Sequence, residues 1–297
     1  LAVFILKGRV MEEYWGPLGW PKDFFSWVSS FFVIVLDFTT EGAKFIFGDL
    51  AKSPGMEGSM GNFFAFQVLP TIIFFASLTA ILYHYGVLQR IVRYMAKGMQ
   101  KLMGTSGAES LSVISNIFVG QTEAPLVIEP YIKKMTKSEL LAVMTGGMAT
   151  IAGGVMAAYV QMLGNSYAQA HDVALDVGRL MFAEQLLGAS LMAAPAALVI
   201  AKIMYPEVDE PATKGEVQMD IEQTDANGID AAATGAKTGL KLAANVGGML
   251  LAFIALLAMG NYFLESFGSI TGINAMIPDG NLRIERLLGW IISPIAF

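Results

Sequence analysis

The chain has no cysteine among its 297 residues, which excludes disulfides, thiolate metal ligands and a cysteine nucleophile. Histidine is nearly as scarce. His84 and His171 are the only two, too few for a multi-histidine zinc centre. Charge is thin as well: 15% of residues are charged and 55% hydrophobic, where a soluble domain carries about a quarter charged. The formal net charge of -6 offers no basic excess to a phosphate backbone, so nucleic acid is not an expected partner. No H-E-x-x-H zinc-protease motif is present, and Gly235-Ala-Lys-Thr238 does not fit the phosphate-loop pattern. With no nucleophile, metal or cofactor constellation in view, an enzyme is not the expectation. A mean hydropathy of +0.55 points to the lipid bilayer.

Both ends lie in apolar runs. The chain opens on Leu1-Ala-Val-Phe-Ile-Leu6 with no initiator Met and no basic stretch before it, so a signal peptide does not fit. It closes within 287–297, also apolar, and the expectation is a fragment lacking both ends of a longer protein. Crossing a bilayer takes roughly 20 apolar residues as helix. Residues 63–85, 140–163, 180–205 and 240–264 meet that length. Earlier, Phe24, Phe25, Val28, Phe31, Phe32 and Val35 fall at helical spacing with Ser26, Ser29 and Ser30 opposite. That pattern predicts an amphipathic helix lying on the membrane over 23–50.

Residues 109–132 behave differently. They contain Asn116, Gln121, Glu123 and Glu129 together with Gly120, Pro125 and Pro130, which no simple lipid-facing helix tolerates. Arg90, Arg93, Lys97 and Lys101 precede the segment, and Lys133, Lys134 and Lys137 follow it. Positive clusters favour the cytoplasmic side. A single crossing would put one cluster outside, whereas a re-entrant hairpin with its tip near Gly120 keeps both inside. The same reasoning places the link 165–178 outside, and it holds Asp172 and Asp176 but no Lys or Arg. Residues 206–228 carry seven acids against Lys214 alone and read as a mobile acidic linker.

Polar groups at membrane depth are expensive and tend to mark a pathway. Gln121, Thr122 and Glu123 are consecutive at the hairpin tip. The following span carries a matching weakness, Thr145-Gly-Gly-Met-Ala-Thr-Ile-Ala-Gly-Gly-Val155. Four glycines there mean either close helix packing or local unwinding that frees carbonyls around Thr150 and Ile151. Broken helices whose carbonyls hold sodium at the midplane are a hallmark of secondary transporters. Asn116 and Thr150 would add side-chain oxygens to such a site.

Gly120-Gln-Thr-Glu-Ala-Pro125, within the run 116–131, carries a specific resemblance. With Met135-Thr-Lys-Ser-Glu-Leu140, Ala149-Thr-Ile-Ala-Gly-Gly-Val155, Ile229-Asp-Ala-Ala-Ala233 and Leu287-Leu-Gly-Trp290, it resembles the concentrative nucleoside transporters, and is close to the bacterial sodium-coupled members. The resemblance implies an all-α integral membrane protein: a helical bundle with a re-entrant hairpin and a broken helix, divided into a scaffold and an elevator-type transport domain. It implies a homotrimer in a bacterial inner membrane, importing nucleosides with sodium as coupling ion. Gln121, Thr122, Glu123 and Val155 would face the nucleobase, and Asn116, Val119, Thr150 and Ile151 would hold sodium. Glu129 stands where several relatives carry a basic residue, and an effect on gating or orientation is expected there.

The implied layout is the end of a preceding span and loop over 1–22, the interfacial helix over 23–50, and a scaffold helix over 62–104. The transport part covers 109–205, with the hairpin at 109–132, the broken helix at 138–164 and a helix at 179–205. The acidic linker of 206–228 leads to a scaffold helix over 229–264, and 281–297 begins the second transport half, which would carry the ribose-binding groups. Two other mechanisms fit the same residues. Glu123 could carry a proton in place of sodium, or the polar hairpin could line a channel.

Overall fold

The computed structural model describes residues 20–54, 56–121, 124–214, 225–277 and 281–296. Among these residues the regular elements are all helical. Four helical stretches are long and apolar enough to cross a membrane: Phe64–His84, Lys137–His171, Leu175–Met204 and Gly228–Thr271. The chain divides into two compact units, up to Ala243 and from Ala244 onward.

In the first unit, α1 (Trp20–Phe47) is followed by a short 3-10 turn, Gly48–Ala51. Its inward face only partly matches the amphipathic pattern expected over 23–50: Val35 and Phe32 turn inward, but Phe31 does not and Ser29 is buried. Ser29, Val33, Leu36, Thr40 and Ala43 form its buried stripe, while Trp27, Phe31, Ile34 and Phe38 point outward. The serines and threonines face protein here because small side chains let neighbouring helices approach. Residues 1–19 of the expected preceding span lie outside the described residues.

The segment expected as one scaffold helix over 62–104 is divided. A short turn α2 (Phe64–Gln67) leads into α3 (Leu69–His84), and α4 (Val87–Met103) follows a left-handed Gly86 with φ of +69°. The two helices differ in kind: α3 is apolar along its length, whereas α4 buries Leu88, Val92 and Ala96 and exposes Arg90, Lys97 and Lys101. Only glycine adopts that φ without strain, so Gly86 lets an apolar helix end and a surface helix begin at once.

Helix α5 (Gly107–Phe118) is buried on almost every side and is followed by a return limb, a 3-10 stretch Ala124–Ile128 and the short α6 (Glu129–Ile132). Next come α7 (Lys137–Ala149), α8 (Gly153–His171) and α9 (Leu175–Met204). The broken helix runs on to His171, past the boundary expected at residue 164. The link between spans is therefore Asp172–Ala174, shorter than the 165–178 expected, with Asp172 left-handed at φ +52°. One core joins α4, α5, Ile128, α7 and the C-terminal half of α9. Another joins α1, α3 and α8 to Ala183 of α9.

Helices α8 and α9 touch through backbone. A side chain on Gly178 would overlap the carbonyl oxygen of Gly164, and one on Gly164 would meet Arg179 Cα at 2.7 Å. At that junction Arg179 is fully buried. Its guanidinium donates to Asn165 Oδ1 at 2.9 Å, Asp37 Oδ1 at 3.1 Å and Ser53 Oγ at 3.2 Å.

Part of the stretch expected to be a mobile linker, 206–228, is anchored. Tyr205 O accepts from Ser138 Oγ, Glu207 pairs with Lys202 at 2.9 Å, and Thr213 meets the start of α5. Composition marked these residues as solvated, but Glu207 and Thr213 find an opposite charge and a helix end to bind. Residues 215–224 lie outside the described residues. Helix α10 (Gly228–Thr271) then begins against α3, with Gly235 and Gly239 seated on Ala76 and Ile73.

The second unit contains the rest of α10, the short α11 (Ile273–Met276) and α12 (Ile284–Ala296). Asn261 Oδ1 accepts from the N–H of Ile284 at 2.9 Å and so caps α12, while its amide donates to Glu285. Arg283 pairs with Glu265, and Asn274 bridges Glu265 O and the N–H of Leu282.

Candidate functional site

Two helices with the same start signal converge on the site. Ser106 caps α5 and Thr136 caps α7, each in a reciprocal capping box with the Glu three residues on, Glu109 and Glu139. From these fixed starts both helices run to early ends, α5 at Phe118 and α7 at Ala149. Beyond α7 the backbone is extended at Thr150 (φ -112°, ψ 158°) until α8 starts at Gly153.

The two ends are in contact. Gly120 holds φ +102°, and a Cβ there would come within 2.8 Å of Ala152 Cβ. A Cβ on Gly153 would meet the carbonyl oxygen of Phe118 at 2.9 Å. Glycine at both positions is what allows the turn after α5 to lie on the break between α7 and α8.

Asn116, in the last turn of α5, crosses to the end of α7. Its Nδ2 donates to Gly146 O at 2.9 Å and to Thr150 Oγ1, and Thr150 Oγ1 donates to Gly146 O at 3.0 Å. The other half of the amide, Asn116 Oδ1, is buried with no hydrogen-bond partner. An unpaired buried acceptor is costly unless something electropositive meets it. The surroundings favour a cation, because the C-terminal ends of α5 and α7 each carry about half a negative charge and carbonyls left unpaired within the helix. The donor set is oxygen with no formal charge, which suits a monovalent cation. Val119 and Ile151, both half-buried, flank this point on the two elements.

In front of the break lies a cavity of about 600 Å³. Phe75, Thr79 and Tyr83 of α3 and Thr234 and Thr238 of α10 form one wall. The opposite wall is Phe118 and Val119, the return limb up to Tyr131, and Ala152, Gly154 and Val155. Such a volume lies within the range of small-molecule sites. Its charged lining residues, Glu129 and Asp225, are both acidic.

The structure thus brings Asn116 and Thr150 into direct contact and puts Val119 and Val155 on the cavity wall. Gln121 is exposed, with its Cβ beside Gly147, and is not among the lining residues. Thr122 and Glu123 lie outside the described residues. The α3 and α10 walls were missed in the sequence, where their hydroxyls sit inside runs that read as plain lipid-facing helix.

Comparison with known proteins bears on the same residues. The family model described as "Nucleoside recognition" matches residues 65–166, which cover the α3 wall, the hairpin limb and the break. The model "Na+ dependent nucleoside transporter C-terminus" matches residues 185–297. The chain belongs to the concentrative nucleoside transporter family. It is 43% identical over 277 residues to the uncharacterized transporter YutK of Bacillus subtilis, covering 92% of this chain and 61% of that protein. To human sodium/nucleoside cotransporter 1 it is 39% identical, covering 92% of this chain and 37% of the relative. The fold is similar to that of CNTnw in an inward-facing substrate-bound state, with a TM-score of 0.75 and 40% identity over 93% of this chain and 60% of that one. The chain therefore spans about six-tenths or less of the length of these relatives. As a member of this family of transporters, not enzymes, it is a multi-pass helical membrane protein.

Proposed function

We propose that this protein is a sodium-driven nucleoside symporter of the bacterial inner membrane. The observation that carries the reading is the unpartnered, buried Oδ1 of Asn116 at the joined ends of α5 and α7, next to the cavity that Val155 lines. Sodium would be held there by Asn116 and Thr150 side chains with main-chain oxygens of Val119 and Ile151. Gln121, Thr122 and Glu123 would face the nucleobase edge while Val155 takes its face. A site built on such hydrogen bonds rejects analogues that leave its polar groups unpaired.

Coupling follows from the contacts at Gly120 and Gly153. A cation drawing the two helix ends together fixes the turn at Gly120, and that turn carries Gln121 to Glu123. The effect is reciprocal, so nucleoside tightens sodium binding by the same factor. In this reading α3 and α10 belong to a trimeric scaffold, and α5, the return limb and α7 to α9 to a transport domain that travels across the membrane as an elevator.

The test is labelled uridine uptake by the full-length protein in proteoliposomes, with an inward sodium gradient or with choline replacing sodium. Accumulation above equilibrium with sodium alone is the expected result. Uptake that ignores sodium and follows an inward proton gradient would overturn the ion assignment. Sodium current without any uridine accumulation would point to a channel lined by the hairpin.

A further inference from the structure

A polar seam joins α8 and α9 to α1, α3 and the loop between them, away from the cation and substrate residues. Gln161 and Asn165 lie one turn apart on the same face of α8. Thr71 Oγ1 of α3 donates to Gln161 Oε1 at 2.5 Å, and both residues are buried. Asn165 Nδ2 donates to Ser53 Oγ at 3.2 Å. Asn165 Oδ1 and Ser53 Oγ also receive the Arg179 guanidinium, whose third partner is Asp37 of α1.

The α3–α8 contact beside these hydrogen bonds is apolar. A Cβ added at Gly154 would lie 3.6 Å from Phe75 Cβ and 3.9 Å from Ile72 O, and Phe75 packs with Ala157 and Val160. The hydrogen bonds fix one register, because a shift of a single helical turn, about 5.4 Å, parts Thr71 from Gln161. Apolar side chains at positions 72 to 76 of α3 would then face Gln161 and leave its buried amide unpaired.

We propose that this seam is a docking station that holds the transport module in the position seen here, with Gln161 and Asn165 as its positioning residues. The proposal rests on the elevator reading above. Thr71 and Ser53 are the fixed side of the station; neither touches the cation or substrate residues. Weakening the seam should shift the balance between positions without altering either binding site.

The experiment uses the full-length protein on a cysteine-free background in lipid nanodiscs, with spin labels at the C-terminal ends of α3 and α8. Thr71→Val, close to isosteric, should lower the population at the distance seen here about three- to tenfold relative to other positions, the effect of one net hydrogen bond. Thr71→Ser should restore it. In parallel, Thr71→Cys with Gln161→Cys, joined by a short bifunctional thiol reagent, should stop uptake that the unjoined pair sustains. Undiminished uptake by the joined protein would overturn both the sliding of α8 on α3 and the station. Arrested uptake with unchanged populations in Thr71→Val would leave the elevator standing and overturn the station alone.

Discussion

Asn116 divides its amide between two tasks, holding the end of α7 with its nitrogen and leaving its oxygen open. Thr150 depends on that arrangement, since its hydroxyl both receives Asn116 Nδ2 and donates to Gly146 O. Removing the hydroxyl takes away a proposed sodium ligand and loosens the turn that presents the neighbouring carbonyls. Thr150→Ala should raise the sodium concentration for half-maximal uridine uptake about tenfold, the factor expected for one lost interaction near 1.4 kcal/mol. A sodium titration of uptake by the full-length protein checks it; an unchanged curve would remove Thr150 from the ion site. These two residues stood out in the sequence because a polar side chain at membrane depth demands a reason, and the structure brings them into contact. Arg179 was not singled out in the sequence. It lies at the edge of an apolar run, where a charge normally reaches water, and nothing local announced that Gly164 and Gly178 would draw two helices over it.

Among the elements, the two capping boxes are more than helix starts. Ser106 Oγ also donates to Glu139, so the cap of α5 is bound to the cap of α7. Lys202, near the end of α9, reaches Glu109 at 2.8 Å and Glu207 at 2.9 Å, and donates to Ser138 at 3.0 Å. Glu109 is 1% exposed, so this lysine neutralises a carboxylate that has little access to water. Lys202→Met should destabilise the protein by about 3 to 5 kcal/mol, the usual effect of orphaning one half of a buried pair. Adding Glu109→Gln should recover most of that loss. Thermal unfolding in detergent reads both, and an unchanged midpoint for the single variant would show the pair to be solvated. Sequence pattern located the long helices and the weak point at Thr150, because hydrophobic length and glycine density are local properties. It misjudged α1 and the 62–104 segment for a common reason. An apolar stripe indicates that something apolar is near, but lipid and protein attract it equally, and only packing against neighbours decides which face turns inward.

For the whole molecule, the cavity between the α3–α10 wall and the hairpin sets what can approach. Among the described residues its charged lining is Glu129 and Asp225, with no lysine, arginine or histidine in the lining. At about 4 Å a like charge costs about 1 kcal/mol in water and more in a less polar setting. Neutral nucleosides should therefore be admitted and phosphate-bearing analogues turned away. Inhibition of uridine uptake by uridine monophosphate should be weak in the native protein and about fivefold stronger in Glu129→Gln with Asp225→Asn. Equal inhibition in the two would assign the discrimination elsewhere.

Thr213 closes the start of α5 from a distance. Gly107 N–H donates to its carbonyl and Ala108 N–H to its hydroxyl, across 105 residues of chain in the second case. During synthesis at about 5–20 residues per second, those two N–H groups wait roughly 5 to 20 s for their partners to leave the ribosome. The start of α5 is thus left unsealed until α7, α8 and α9 have been made. The membrane insertion machinery must shelter that open helix end in the interval, and any pause in translation between α5 and Thr213 lengthens the exposure.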